Sequence, residues 1–156
     1  MLLAVAHGTF FDRMLRHLEE AGFAGFTTRT GFVLRVLDGE ALSLRELADR
    51  LEMSSPAALK VIDTMVADGF VERTTAPEDR RVRAVRATAH GRAALEAARS
   101  FHAAVEQELV EAVGPDDAAA VRRGLAAIAG QATEVIPQVL RRSTGGAATR
   151  STGPAR

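Results

Sequence analysis

The sequence predicts a mainly α-helical fold that carries one short two-stranded β-ribbon. Apolar residues recur at three- and four-residue spacing along most of the chain, which is typical of amphipathic helices. One stretch after Gly69 differs, because two β-prone runs flank a polar segment there. The chain has 156 residues, 47% of them hydrophobic, so it is large enough to bury a core of its own.

The first third of the chain predicts two helices joined by a tight turn. Helical spacing of the apolar residues predicts a first helix over residues 4–20. The glycines and phenylalanines of residues 21–26 predict a turn, and a second helix follows over residues 28–37. Gly39 is expected to end that helix, because glycine readily adopts the left-handed conformation.

Two further helix starts follow in quick succession. Within residues 42–51, Ser43 and Glu46 have the spacing of a capping box, which predicts a short helix. Ser54 is the next candidate N-cap, and a proline stands where the first helical residue is expected. The next helix is therefore predicted over residues 56–68, directly after a short turn.

The predicted ribbon is rich in arginine. Phe70 to Thr74 and Val82 to Ala87 are the two β-prone runs, and residues 75–81 have the composition of a hairpin tip. Residues 71–92 contain six arginines and three acidic residues, although the whole chain has 20 basic and 20 acidic residues. Basic character is thus concentrated at this ribbon.

The remainder of the chain predicts two more helices and a tail. Thr88 is expected to cap a long helix that ends at Gly114-Pro115. Asp116 and Asp117 begin a last helix, which Pro137 kinks or ends. Residues 143–156 contain no apolar side chain larger than alanine and are predicted to be disordered.

The helix over residues 56–68 has a face suited to a DNA groove. Its predicted inner face consists of Leu59, Ile62, Met65 and Val66. Its predicted outer face consists of Ala57, Lys60 and Thr64. Small side chains allow close approach to a major groove about 12 Å wide, and hydroxyl and ammonium groups bind bases and phosphates. The alternative is a solvated helix with ordinary caps, which the adjacent basic ribbon disfavours.

Helix, tight turn, helix and basic ribbon follow one another as in a winged helix-turn-helix. The segment resembles the MarR (multiple antibiotic resistance regulator) family of bacterial transcription regulators, across roughly residues 5–140. The resemblance is carried by LSLRELADRLEMSSPAALKVIDTMVADGFVER and the following TTAPEDRRVRAVRATAHGR, including Gly69-Phe70, Asp79-Arg80-Arg81 and Thr88-Ala89-His90-Gly91.

The resemblance implies a DNA interface. Its expected residues are Ser54, Ser55, Ala57, Lys60, Thr64, Arg80, Arg81 and Arg83. Arg81 matches the arginine that enters the minor groove at the tip of the wing, and Asp79 matches the acid that holds it. A narrow minor groove concentrates negative potential, which favours a guanidinium.

The resemblance also implies a homodimer on a pseudo-palindromic operator of double-stranded DNA. We therefore expect an N-terminal dimerisation helix and turn (1–26), a DNA-binding region (27–92), C-terminal dimerisation helices (93–142) and the tail (143–156). Family members bind small aromatic or phenolic anions that relieve repression. The residues expected to line such a site here are Phe11, Arg16, His17, Phe23, Phe26 and Phe32.

Several other functions are disfavoured by what the sequence lacks. The absence of cysteine excludes disulfides, thiolate metal sites and thiol-based sensing. The four histidines are scattered and no catalytic motif is present, so we expect neither a metal, a cofactor nor an enzyme. The longest apolar run, Met1 to Ala6, is too short to cross a membrane, and a cytoplasmic protein is expected. Two alternatives remain: a sensor that binds a cofactor or metal, and a winged-helix module that binds protein instead of DNA.

Overall fold

The computed structural model describes residues 1–75 and 83–129. The helices are α1 (Leu2–Glu20), α2 (Thr28–Val36), α3 (Leu44–Arg50), α4 (Ser55–Ala67), α5 (Ala89–Val113) and α6 (Pro115–Ala129). The strands are β1 (Leu42–Ser43), β2 (Val71–Thr75) and β3 (Arg83–Ala87). This mainly helical fold with a small sheet confirms the predicted fold class. Pro137 and the tail lie outside the described residues.

The predicted caps define the helices around the central turn. The Ser43 hydroxyl accepts a hydrogen bond from the Glu46 amide (3.2 Å), and the Glu46 carboxylate accepts one from the Ser43 amide (2.8 Å). Both bonds satisfy amides at the start of α3 that have no helical partner. Glu52, in the turn before α4, has a φ of 49°, and this left-handed residue helps reverse the chain.

The ribbon is part of a three-stranded antiparallel sheet with the order β1-β3-β2. The wing pair was predicted, and the structure pairs Val71 with Ala87 and Thr75 with Arg83. The third strand was not predicted, since β1 has only two residues and Leu42 pairs with Val85. This strand joins the wing to the start of α3 and so connects it directly to the helix-turn-helix.

A single cluster of apolar side chains holds these elements together. Helices α1 to α4 and the residue before β2 each contribute a fully buried side chain to it: Leu18, Leu34, Leu47, Ile62 and Phe70. α5 begins over this cluster, where Thr88 accepts a hydrogen bond from the Gly91 amide (3.0 Å) and donates one to the Gly69 carbonyl (2.6 Å). The start of α5 is therefore fixed to the short connection between α4 and β2.

The far ends of the helices carry apolar side chains that the chain itself does not cover. On α6 these are Val121, Leu125 and Ile128, and Val113 stands at the end of α5. Met1, Leu2, Leu3 and Val5 are similarly exposed near the start of α1. Exposed apolar residues that follow a helical repeat are typical of an interaction surface. In the described part of the chain, no helix is both long enough and apolar enough to span a membrane.

Candidate nucleic-acid interface

The start of α4 is exposed and firmly capped. The Ser54 hydroxyl accepts a hydrogen bond from the Ala57 amide (3.4 Å), and the helix begins at Ser55, so Pro56 is its second residue rather than the first. Ser54, Ser55 and Pro56 are all exposed. A helix start with exposed hydroxyl groups attracts phosphate through its unpaired amides and its dipole.

The body of α4 has a buried side and a polar side. Ala58, Val61, Ile62 and Met65 are buried against the core. Lys60 and Thr64 are exposed on the other side, and Ala57 is half-buried beside them. The Thr64 hydroxyl donates to the Lys60 carbonyl (3.2 Å), which leaves its lone pairs directed outward as acceptors. Lys60, Thr64 and Ala57 thus stand on the side of the helix that the sequence predicted.

The expected position of Leu59 was wrong. Leu59 was assigned to the inner face of the helix, but 42% of its surface is exposed, whereas Val61, which the prediction left out, is buried. At about 100° per residue, the buried stripe runs through positions 58, 61, 62 and 65, and Leu59 falls at its edge. The spacing of apolar residues does not reveal this error, because an apolar residue at the edge of the stripe fits either face of the helix.

Ion pairs connect the wing to α4. Arg73 on β2 pairs with Asp63 on α4, and Arg86 Nε lies 2.7 Å from Glu72 Oε1 across the wing. In the described part of the chain, no carboxylate lies within ion-pair distance of Lys60 or Arg83. Both cations are exposed beside α4, and neither has an ion-pair partner among the residues that the structure describes. Asp79, Arg80 and Arg81, expected at the tip of the wing, lie outside the described residues.

Residues 24–82, from the turn after α1 to the wing, match the family profile described as "MarR family". Over this region the chain is similar to the MarR family. The match confirms the resemblance that the sequence indicated. No curated protein sequence matches the chain.

Solved structures of MarR-like regulators extend the likeness to most of the chain. YusO from Bacillus subtilis is 23% identical, with a TM-score of 0.64 over 81% of this chain and 89% of that one. MepR from S. aureus, solved as a DNA complex, is 18% identical, with a TM-score of 0.66 over 81% and 92%. CouR, described as a transcriptional repressor bound to a 23-mer DNA duplex, is 29% identical, with a TM-score of 0.60 over 83% and 90%. The first two likenesses show the winged-helix fold.

A cleft of about 350 Å³ separates the MarR-like α4 from the start of α2. Its polar lining consists of Thr27, Arg29, Thr30, Lys60, Thr64 and Asp68. Arg29 Nε is buried and has no hydrogen-bond partner among the described residues. Sequence reasoning missed Arg29, since an arginine in the first turn of a helix carries no signal of its own.

The residues expected to line an effector site have separate partners. Four of them pack against aromatic rings outside the expected set. The distances between ring centroids are 4.6 Å for Phe11 and His7, 5.5 Å for His17 and Phe101, 5.1 Å for Phe23 and His90, and 5.9 Å for Phe26 and Phe70. Arg16 is exposed and Phe32 half-buried. None of the six lines the cleft beside α2 or the cleft between α4 and the wing. The effector site of this MarR-like chain stays a prediction.

The described residues, 1–75 and 83–129, include no group of three or more His, Asp or Glu side chains placed to hold a metal ion. His7, His17 and His102 each pack against a phenylalanine ring in a tilted or edge-on arrangement, and His90 stacks on Phe70.

Proposed function

We propose that this chain is a sequence-specific DNA-binding transcriptional regulator. It acts as a homodimeric repressor that a small aromatic or phenolic ligand releases from double-stranded DNA. Residues 27–92 bind the DNA, while residues 1–26 and 93–142 form the dimer. Regulation, rather than catalysis, is the activity of the MarR family, to which residues 24–82 are similar.

The observation that carries this proposal is the outward face of α4. It presents a capped helix start, the exposed Lys60 and the Thr64 hydroxyl next to an exposed Arg83 on the wing. A helix with short polar side chains fits the major groove, and flanking cations bind the phosphate backbone. The similar structures of MepR and CouR were solved in complex with DNA, which supports the same use of α4 here.

Exposed apolar residues support the dimer. Val121, Leu125 and Ile128 recur at three- and four-residue spacing on α6, so they form one stripe that a second copy can cover. A two-fold pairing of helices presents two copies of α4, and such pairs bind half-sites about one DNA turn apart.

Selection from a pool of random duplexes, followed by titration, tests DNA recognition. The selected duplex should contain an inverted repeat and bind at least about a thousandfold more tightly than a shuffled duplex of the same composition. Affinity should fall steeply with added salt. Equal affinity for the two duplexes, or no retention of any duplex, contradicts the proposal and favours a protein-interaction module.

The wing is tested by Arg81→Ala, which should weaken DNA binding by about 1–3 kcal/mol without changing the melting temperature. Arg81→Lys is the matched variant, because lysine keeps the charge but lacks the planar group that suits a narrow minor groove. Titration of both variants on the selected duplex should rank the wild type first, lysine second and alanine last. Wild-type affinity in Arg81→Ala removes the wing from the mechanism.

A further inference from the structure

Leu59 is a large apolar side chain at the edge of the buried stripe of α4, on the side of the helix that faces the wing. It lies in the second turn of α4, 42% exposed, while its neighbours Ala58 and Ile62 are almost fully buried. The core below α4 is therefore closed without it. Exposure of a leucine to water is unfavourable unless a partner covers it.

The surroundings of Leu59 indicate what kind of partner fits. Leu59 borders a cleft of about 430 Å³ between α4 and the wing, and Leu44, Ala84 and Val85 add to its apolar lining. Arg83 lies at the wing side of this cleft, and Lys60 is the next residue on the helix. Both cations are exposed and have no ion-pair partner among the described residues, so they suit the phosphates that flank the bases of a duplex.

The acidic neighbour of Leu59 is already paired. Asp63 stands one turn further along the same side of α4, and its carboxylate binds Arg73 of the wing. An unpaired carboxylate at this place would repel phosphates and would accept hydrogen bonds from cytosine amino groups. The ion pair weakens both effects, and Leu59 beside it is exposed for contact with bases.

We propose that Leu59 is a specificity-determining residue that contacts the C5-methyl group of a thymine in each half-site. This inference rests on the proposed function, since it needs α4 to lie in the major groove. The thymine methyl is the apolar group that standard base pairs expose in that groove, and apolar side chains recognise it by contact. Leu59 thereby adds a hydrophobic base reader to the polar residues of α4.

Replacement of thymine by deoxyuridine tests the inference, because it removes only the methyl group. Each thymine of the selected duplex is replaced in turn, symmetrically in both half-sites, and the dissociation constant is measured for the wild type and Leu59→Ala. Loss of one buried methyl group corresponds to about a fourfold weakening per half-site. Leu59→Met, which keeps the apolar volume, is the matched variant, and melting curves establish that both variants are folded.

The expected result is one thymine position at which deoxyuridine weakens the wild type and Leu59→Met but leaves Leu59→Ala unaffected. Equal effects of deoxyuridine on the wild type and Leu59→Ala at every position would overturn the inference. An absence of any methyl-dependent position in the wild type overturns it too, even if Leu59→Ala does not fold. In both cases tight binding of the selected duplex leaves the proposed function standing, whereas failure of the wild type to retain any duplex overturns both.

Discussion

At the scale of single residues, the histidine rings of α1 and α5 illustrate how packing sets chemistry. His102 lies with its ring centroid 5.0 Å from that of Phe10, so an aromatic ring replaces part of its water shell. This partial desolvation lowers the pKa of His102, the charge of Arg35 on α2 lowers it further, and Glu106 on α5 opposes the shift. The uncharged imidazole is therefore the form that the fold favours.

The lowered pKa of His102 predicts a loss of stability in acid. The unfolded chain, with a histidine pKa of about 6.5, binds the proton more readily than the folded chain. The contribution of His102 should therefore leave the free energy of unfolding constant above about pH 6.5. Below that pH, the free energy of unfolding should decrease as the pH falls. Urea unfolding of the wild type and His102→Gln at several pH values measures this effect. A decrease of the same size in the variant would assign the pH dependence to other groups.

Leu59 and Arg29 illustrate which side chains could not be assigned to a buried or an exposed position from the sequence. Lys60 and Thr64 were correctly assigned to the outer face because a polar residue on a helix rarely points into a core. Leu59 was assigned to the inner face because an apolar residue at its edge fits both sides of the helix. The buried Nε of Arg29 depends on how α2 meets α4, which is a tertiary contact that periodicity does not contain.

At the scale of elements, the caps were predictable and the sheet only in part. Ser43, Ser54 and Thr88 each accept the amide hydrogen bond that their position in the sequence indicates. Caps are local, since the side chain and the amide stand three residues apart. Strand β1 escaped prediction because two residues give no alternation, and because its partner β3 lies far along the chain, with Leu42 paired to Val85.

The contact between α5 and Phe70, the residue directly before β2, predicts that Gly91 tolerates no side chain. A Cβ atom at Gly91 would lie 2.0 Å from the carbonyl oxygen of Phe70 and 3.0 Å from Leu34 Cδ2. Since the obstacle is backbone, α5 would have to shift, and Gly91→Ala should lower the free energy of unfolding by about 3 kcal/mol.

Gly124 on α6 is the control for Gly91, measured in a Leu125→Glu background because Gly124 shares the proposed dimer stripe with Leu125. Within one chain a Cβ atom there meets nothing within 4 Å, so Gly124→Ala should raise stability by about 0.5–1 kcal/mol through helix propensity. Chemical denaturation measures both variants. Equal effects of the two substitutions would mean that α5 does not pack on Phe70 as described.

At the scale of the whole molecule, the proposed function requires two copies of the chain. The apolar stripe of α6 predicts that a charge introduced there prevents dimerisation. Leu125→Glu buries a carboxylate against the partner, which costs several kcal/mol when the charge is unpaired. Sedimentation velocity should show a dimer for the wild type and a monomer for this variant. Ala127→Glu, on the opposite side of α6, is the control and should stay dimeric; a dimeric Leu125→Glu would exclude this stripe from the interface.

The salt dependence of DNA binding tests most directly the central claim, that α4 lies in the groove with Lys60 close to phosphate. Each phosphate contact contributes about 0.9 to the slope of log affinity against log salt concentration. Lys60→Ala should therefore reduce that slope by about 1.8 in a dimer, whereas Arg123→Ala on α6 should leave it unchanged. A slope in Lys60→Ala equal to that of the wild type on the same duplex would contradict the account.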